Sequence, residues 1–252
     1  MLTSIVIVRV SIGPPGTGKT MLAKAVAAEC GANFLNVTQG DLRSKWWGEA
    51  EQLTQKVFKA AVELAPTVIF VDEIDALLCT NTEYNRNLTM EFLASWDGLL
   101  SSSSRVMVMG ATNRPQQLDE ALLRRLPRRL LVDLPSFAER RRVLEVVLKD
   151  ECLSPDFTVD AVATLTDGYS GSDIANLCAA AAYRPLRELL EDEAREGIMK
   201  KTMRDLTLND FEQAKKQISA SVAKNSTASK VLQRWHAQYG DGGTRQVSSL
   251  GF

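Results

Sequence analysis

Gly13-Pro14-Pro15-Gly16-Thr17-Gly18-Lys19-Thr20 is the stretch on which the fold of this chain turns. Upstream, Ile5-Val6-Ile7-Val8 with Val10 and Ile12 is short and β-branched, the composition of a strand buried in a parallel sheet. Downstream, residues 19–29 carry Leu22, Ala23, Val26 and Ala27 at helical spacing, and Gly31 offers a stop. Strand, glycine loop and helix in this order make a phosphate cradle, the Walker A arrangement. Backbone N–H groups near Gly13, Gly16 and Gly18 are unhindered by side chains and can wrap an anion, and the positive end of the following helix faces the same place. Lys19 is placed to reach the β- and γ-phosphates of ATP, and the Thr20 hydroxyl to bind Mg²⁺. Met21 is counted with Gly13–Thr20 as nucleotide-binding. The loop alone would suit a kinase, a GTPase or a helicase.

Strands and helices alternate onward from the loop. Residues 33–37 and 67–71 read as strands, 49–64 as an amphipathic helix stopped by Pro66, and 88–99 as a helix. Ser101 to Ser104 read as a flexible connection. Residues 105–111 read as a strand, 118–123 as a short helix and 130–132 as a last strand. Such alternation predicts an α/β fold, a parallel P-loop NTPase sheet flanked by helices. After Pro135 no strand is expected. Helical patterns fill 137–149, 159–165, 172–194 and 208–218, and Pro185 is expected to kink or break the third. The expected domains are an α/β core over 1–135, an all-α lid over 136–239 that includes the C-terminal helix, and a disordered Gly- and Ser-rich tail over 240–252.

Asp72-Glu73 closes the strand Val68-Ile69-Phe70-Val71, at the carboxyl end where open parallel sheets bind ligands. In that setting Asp72 would hold Mg²⁺ and Glu73 would activate the attacking water, a Walker B pair; elsewhere two adjacent acids are solvated surface. Asn113 ends the next strand. It is either a turn-former before Pro115 or an amide that holds water or senses the γ-phosphate. Arg124, Arg125, Arg128 and Arg129 flank Leu126-Pro127. They form either a solvated basic edge or an arginine finger offered to a neighbouring subunit's ATP. In Lys45-Trp46-Trp47-Gly48 the two tryptophans alternate faces of an extended segment. One packs on the domain, or both grip a polypeptide from a loop.

Bulk properties narrow the field. The chain has 252 residues, 45% apolar, with 30 basic against 31 acidic side chains and a net charge of −1. That balance gives no reason to expect a nucleic acid partner. No run approaches the roughly 20 apolar residues of a membrane span, and no secretory signal is evident. The four cysteines, Cys30, Cys79, Cys152 and Cys178, lack zinc-site spacing and are expected as buried, reduced thiols. His236 is the only histidine, which argues against histidine-based catalysis.

These motifs together resemble the AAA ATPases, in the group that includes katanin, spastin and the thorase-type extractors of the outer mitochondrial membrane. GPPGTGKT at 13–20, KWWGE at 45–49, VIFVDEID at 68–75, WDGLL at 96–100, GATNRP at 110–115, LRRLPRRLLVDLP at 123–135 and GYSGSDI at 168–174 carry the resemblance. YGDGGTR at 239–245 resembles the plant and algal thorase-like branch. The resemblance implies a hexameric ring that hydrolyses ATP with Mg²⁺ and pulls polypeptide, including tail-anchored membrane proteins, through a central pore. It places Asn113 at a sensor position and Arg124 and Arg125 at arginine-finger positions, with Arg128 as a helper. Lys45, Trp46, Trp47 and Gly48 fall on the pore loop, and Gly171 and Ser172 where the lid touches nucleotide. It implies the cytosolic face of the outer mitochondrial membrane, reached through a segment upstream of this chain. Ser11-Ile12 departs from the usual large apolar pair, the run before Gly13 is short, and Asn81 to Asn85 departs from the usual second pore loop. A truncated form is therefore expected, and adenine binding is not legible. Two other readings compete: a nucleotide-binding subunit that is regulatory or non-productive, and a microtubule-severing ATPase. The charge of −1 and the lack of a basic linker argue against severing.

Overall fold

The run Thr67–Val71 is buried at every position, as a strand covered on both faces must be. In the computed structural model, which describes residues 8–42, 49–78, 83–101, 104–118, 120–196, 203–222 and 227–241, it is the second strand of a five-stranded parallel sheet. The strands are β1 (Val8–Ile12), β2 (Asn33–Val37), β3 (Thr67–Val71), β4 (Val106–Thr112) and β5 (Arg128–Leu131), in spatial order β2-β3-β4-β1-β5. Between them run α1 (Lys19–Glu29), α2 (Gln39–Leu42), α3 (Glu49–Glu63), α4 (Ile74–Leu77), α5 (Glu83–Ser101) and α6 (Glu120–Arg125). The register pairs Val71 with Gly110 and Ile12 with Thr112. The carboxyl ends of β3, β4 and β1 are therefore neighbours.

Strand side chains alternate between faces, and the core divides accordingly. Val68, Phe70, Met109 and Ala111 pack with Ala23 and Ala27 of α1 on one face. Ile69, Val71, Val106 and Val108 pack on the other with Phe58 of α3 and with Phe92 and Trp96 of α5. Phe92 meets both Phe58 and Trp96 edge to face, at centroid distances of 5.0 and 5.8 Å.

A second unit comprises residues 133–226 with 14–17. Its helices are α7 (Phe137–Val147), α8 (Val159–Leu165), α9 (Gly171–Glu196) and α10 (Leu208–Lys215), around Leu144, Val162, Ile174, Leu177 and Phe211. Ser136 and Glu139 form a capping box that starts α7. Buried Asp210 takes a two-pronged bond from Arg204, at 2.7 and 2.8 Å.

Several expectations need correction. Helix α11 (Thr227–Tyr239) was expected in the lid, but it counts with the first unit, where Leu232 and Trp235 join the sheet's core. Helical periodicity shows that a helix has an apolar face, not what covers it. Pro185 does not break α9, which runs unbroken through it and forgoes the N–H that would bond the carbonyl four residues back. Residues 153 and 206 form an isolated parallel bridge where no strand was expected. Cys30 and Cys152 are exposed rather than buried. Cys178 is buried, and burial together with nearby Glu151 pushes its thiol up to about 12. Ser101 belongs to α5. Ile5-Val6-Ile7, Cys79, Asn81-Thr82, Ser102-Ser103 and the tail 242–252 lie outside the described residues, as do Lys45, Trp46, Trp47 and Gly48.

Candidate active site

The glycine loop leaves β1 and enters α1 through Gly18, whose φ of 90° is one that L side chains rarely adopt. Lys19, the first residue of α1, is buried, and its ammonium donates to the Gly13 carbonyl at 3.0 Å. Burial lowers its pKa from 10.5 to about 8, against an opposing pull from the Asp72 carboxylate. An ammonium held largely out of water on the glycine loop can take a phosphate anion as a further partner. In the second unit, Thr17 Oγ1 donates to the Pro14 carbonyl at 3.0 Å, and the Ser172 N–H donates to the Gly16 carbonyl at 3.2 Å. A Cβ on Gly16 would lie 2.6 Å from Ser170 Oγ, and its φ is 76°. Gly171 starts α9, its own Cβ position 3.4 Å from the Gly16 carbonyl.

From the second residue of α1, the Thr20 hydroxyl donates to Asp72 Oδ2 at 3.0 Å, across 52 residues of chain. The loop and the acidic pair therefore meet. A hydroxyl and a carboxylate are hard oxygen donors, and Mg²⁺ commonly takes one or two protein oxygens and completes its shell with water and phosphate. This pair fits that requirement. Among the described residues no cluster of three His, Cys, Asp or Glu offers an all-protein cage.

Glu73 follows with φ 47° and ψ 48°, the single non-glycine residue of positive φ among the described residues. An L residue in that region costs about 1–2 kcal/mol, and such strain gathers at functional sites. The conformation exposes the Glu73 carboxylate while its N–H is held by Asp72 Oδ1 at 3.0 Å. On the neighbouring strand, Asn113 stands just past Thr112, and its Oδ1 is buried without a hydrogen-bond partner. A buried acceptor left open needs a donor, and water at a reacting phosphate would supply one.

Asp75 and Thr112 carry no role in the sequence pattern, yet the fold brings them together. Both are buried, and the Thr112 hydroxyl donates to Asp75 Oδ1 at 2.6 Å. The available signal was a third acid two residues after the pair, on a segment too apolar for solvated surface.

The arginines separate by role. Arg124 projects from the end of α6 with its side chain 80% exposed, touching only Glu120 one turn back among its described partners. Arg125 is pinned by a two-pronged bond to Asp97, at 2.8 and 2.6 Å, and by the Ala121 carbonyl. Arg128 is exposed and 3.7 Å from Asp241. Arg129 is structural: it donates to the Leu123, Leu126 and Tyr239 carbonyls and lies over the Trp235 ring.

Residues 10–134 match the family model "ATPase family associated with various cellular activities (AAA)", and residues 156–212 match the AAA+ lid domain. Spastin of Danio rerio is 46% identical over 235 residues, which are 91% of this chain and 41% of that protein. Spastin of Homo sapiens is 44% identical, over 91% of this chain and 38% of its own length. The chain thus spans about two fifths of these curated relatives. The crystal structure of the FIGL-1 AAA domain in complex with ADP superposes with a TM-score of 0.81 at 38% identity. That match covers 93% of this chain and 79% of the other.

Proposed function

The chain belongs to the AAA family of ATPases, and from that premise we propose that it hydrolyses ATP with Mg²⁺ to drive the remodelling of a polypeptide through a hexameric ring. The observation that carries the proposal is the bond between Thr20 and Asp72 beside the strained Glu73. Lys19 and the loop amides bind the β- and γ-phosphates. Thr20 and Asp72 hold Mg²⁺, which when bound supplies positive charge to the phosphate oxygens. Glu73 orients a water and takes its proton as the water oxygen bonds to the γ-phosphorus. The bond to the β–γ bridging oxygen breaks, and ADP departs with that oxygen. Asn113 Oδ1 accepts a hydrogen bond from the same water. Arg124, and Arg125 behind it, serve a neighbouring subunit's site; Arg128 is the helper. Gly171 and Ser172 act on the loop at Gly16.

Glu73→Gln tests the assignment. It keeps the size of the side chain and removes the base, so ATP stays bound at near-parent affinity while turnover falls by at least ~100-fold. Hydrolysis at the parent rate would remove Glu73 from the reaction.

Two substrate readings follow. Extraction of tail-anchored proteins at the cytosolic face of the outer mitochondrial membrane is supported by the resemblance at residues 239–245. Microtubule severing is supported by the spastin relatives. Sedimentation with microtubules in ATP favours severing, and ATP-dependent release of a tail-anchored protein from liposomes favours extraction. Gripping by Trp46 and Trp47 belongs to either.

A further inference from the structure

Asp75 lies two residues beyond the proposed base and takes part in no step above. It sits on α4, which begins directly after Glu73, so its position is rigidly linked to that residue. Asp75 is 8% exposed, and its Oδ1 accepts the Thr112 hydroxyl at 2.6 Å. Thr112 is the last residue of β4 and is 1% exposed. The same hydroxyl oxygen accepts the Arg114 N–H at 2.9 Å. Thr112 therefore bonds across Asn113, from the residue before it to the residue after it. Such a closure sets the backbone of the enclosed residue and with it the direction of the side chain. The enclosed residue is the one whose buried Oδ1 has no partner.

A second contact locks the two elements. A Cβ on Gly110 would lie 3.0 Å from Ile74 Cδ1, so α4 packs tightly on β4 here and a larger residue would push the Ile74 side chain aside. Ile74 is fully buried. Glu73 and Asn113 leave adjacent parallel strands paired at Val71 and Gly110. Just past those strand ends, Glu73 is followed at once by α4, and Asn113 is bracketed by the Thr112 closure. The Asp75–Thr112 bond joins them.

We propose that Asp75 and Thr112 are positioning residues for ATP hydrolysis, holding the Asn113 amide at a set distance from the Glu73 carboxylate. The inference rests on the roles given to Glu73 and Asn113 above. Asp75 acts as a buried acceptor that orients the Thr112 hydroxyl, leaving the oxygen's lone pair for Arg114. A water held between base and amide loses its alignment when either support is cut. The bound nucleotide, held by the glycine loop on β1, does not depend on this support. The signature is therefore in kcat, not in nucleotide affinity.

The test is a variant series on the full chain. Thr112→Val keeps the shape and deletes the hydroxyl; we expect kcat to fall roughly 10- to 100-fold, with Kd for a nonhydrolysable ATP analogue within about twofold of the parent. Thr112→Ser and Asp75→Asn each keep the bonded atom and recover most of the rate. Thr112→Val combined with Asn113→Ala is no slower than Asn113→Ala alone, because both changes remove one function. A merely structural role predicts the opposite: independent losses that multiply, and weakened nucleotide binding. Parent kcat in Thr112→Val, or multiplying losses in the double variant, overturns the proposal. If Asp75→Asn does not fold, Thr112→Val decides. If Asn113→Ala itself turns over at the parent rate while Glu73→Gln does not, the role of Asn113 falls and takes this proposal with it. If Glu73→Gln is also unaffected, the wider catalytic reading is what has failed.

Discussion

Lys19 is a site residue whose chemistry folding displaces. Burial takes its pKa to about 8 from 10.5. Below pH 8 both folded and unfolded chains carry the proton, and the buried charge counts against the fold. Between pH 8 and 10.5 the folded chain releases the proton first, so this group makes stability rise with pH across that window. Nucleotide binding runs the other way. A phosphate anion favours the charged ammonium, so binding above pH 8 requires proton uptake. ATP affinity is therefore flat between pH 7 and 8 and then weakens, by up to about tenfold per pH unit. Calorimetric titrations at pH 7, 8 and 9 in buffers of different ionisation enthalpy check this; Lys19→Ala should bind weakly and without the slope.

Among the elements, α11 shows best how one side chain can settle a packing choice. Arg129 ends three carbonyl chains, at Leu123, Leu126 and Tyr239, and covers Trp235. It thus links the end of α6 to the end of α11. Arg129→Ala strands those carbonyls and uncovers the indole. We expect a loss of about 2 kcal/mol in the first unit's stability, read from the urea midpoint with an unchanged slope. Arg129→Lys recovers little, since an ammonium cannot present the same planar fork. Turnover per folded molecule stays near the parent value, because the Arg129 guanidinium is engaged with those carbonyls and the Trp235 ring.

For the whole molecule the open quantity is assembly. Arg124 is 80% exposed at the end of α6, the disposition needed to act on another copy. Light scattering with and without ATP tests this directly. ATP-dependent growth beyond the monomer supports a ring, while a chain that stays monomeric but binds ATP matches the regulatory reading. In a ring, Arg124→Ala lowers turnover strongly while each subunit still binds ATP. Mixing it with Glu73→Gln then restores part of the rate, since some interfaces pair an intact base with an intact arginine. Failure of any such mixture to recover activity argues against a shared site.

What the sequence by itself determined was local. The glycine loop, the acidic pair after an apolar strand and the helical or strand period of most segments depend on residues near one another in the chain, so the α/β sheet and the Walker residues could be read without coordinates. Helix α4, only four residues long, escaped because a single turn shows no repeat of the period that reveals helices. The tertiary structure alone decided the partners that the chain brings from afar. It set Thr20 against Asp72, Thr112 against Asp75 across 37 residues, and α11 against the sheet rather than the lid. It also divided four neighbouring arginines into one exposed, one pinned, one at the surface near Asp241 and one structural. The physical reason is the same each time. Strand order and packing determine which polar groups lose water together, and a buried group takes the partner that geometry supplies.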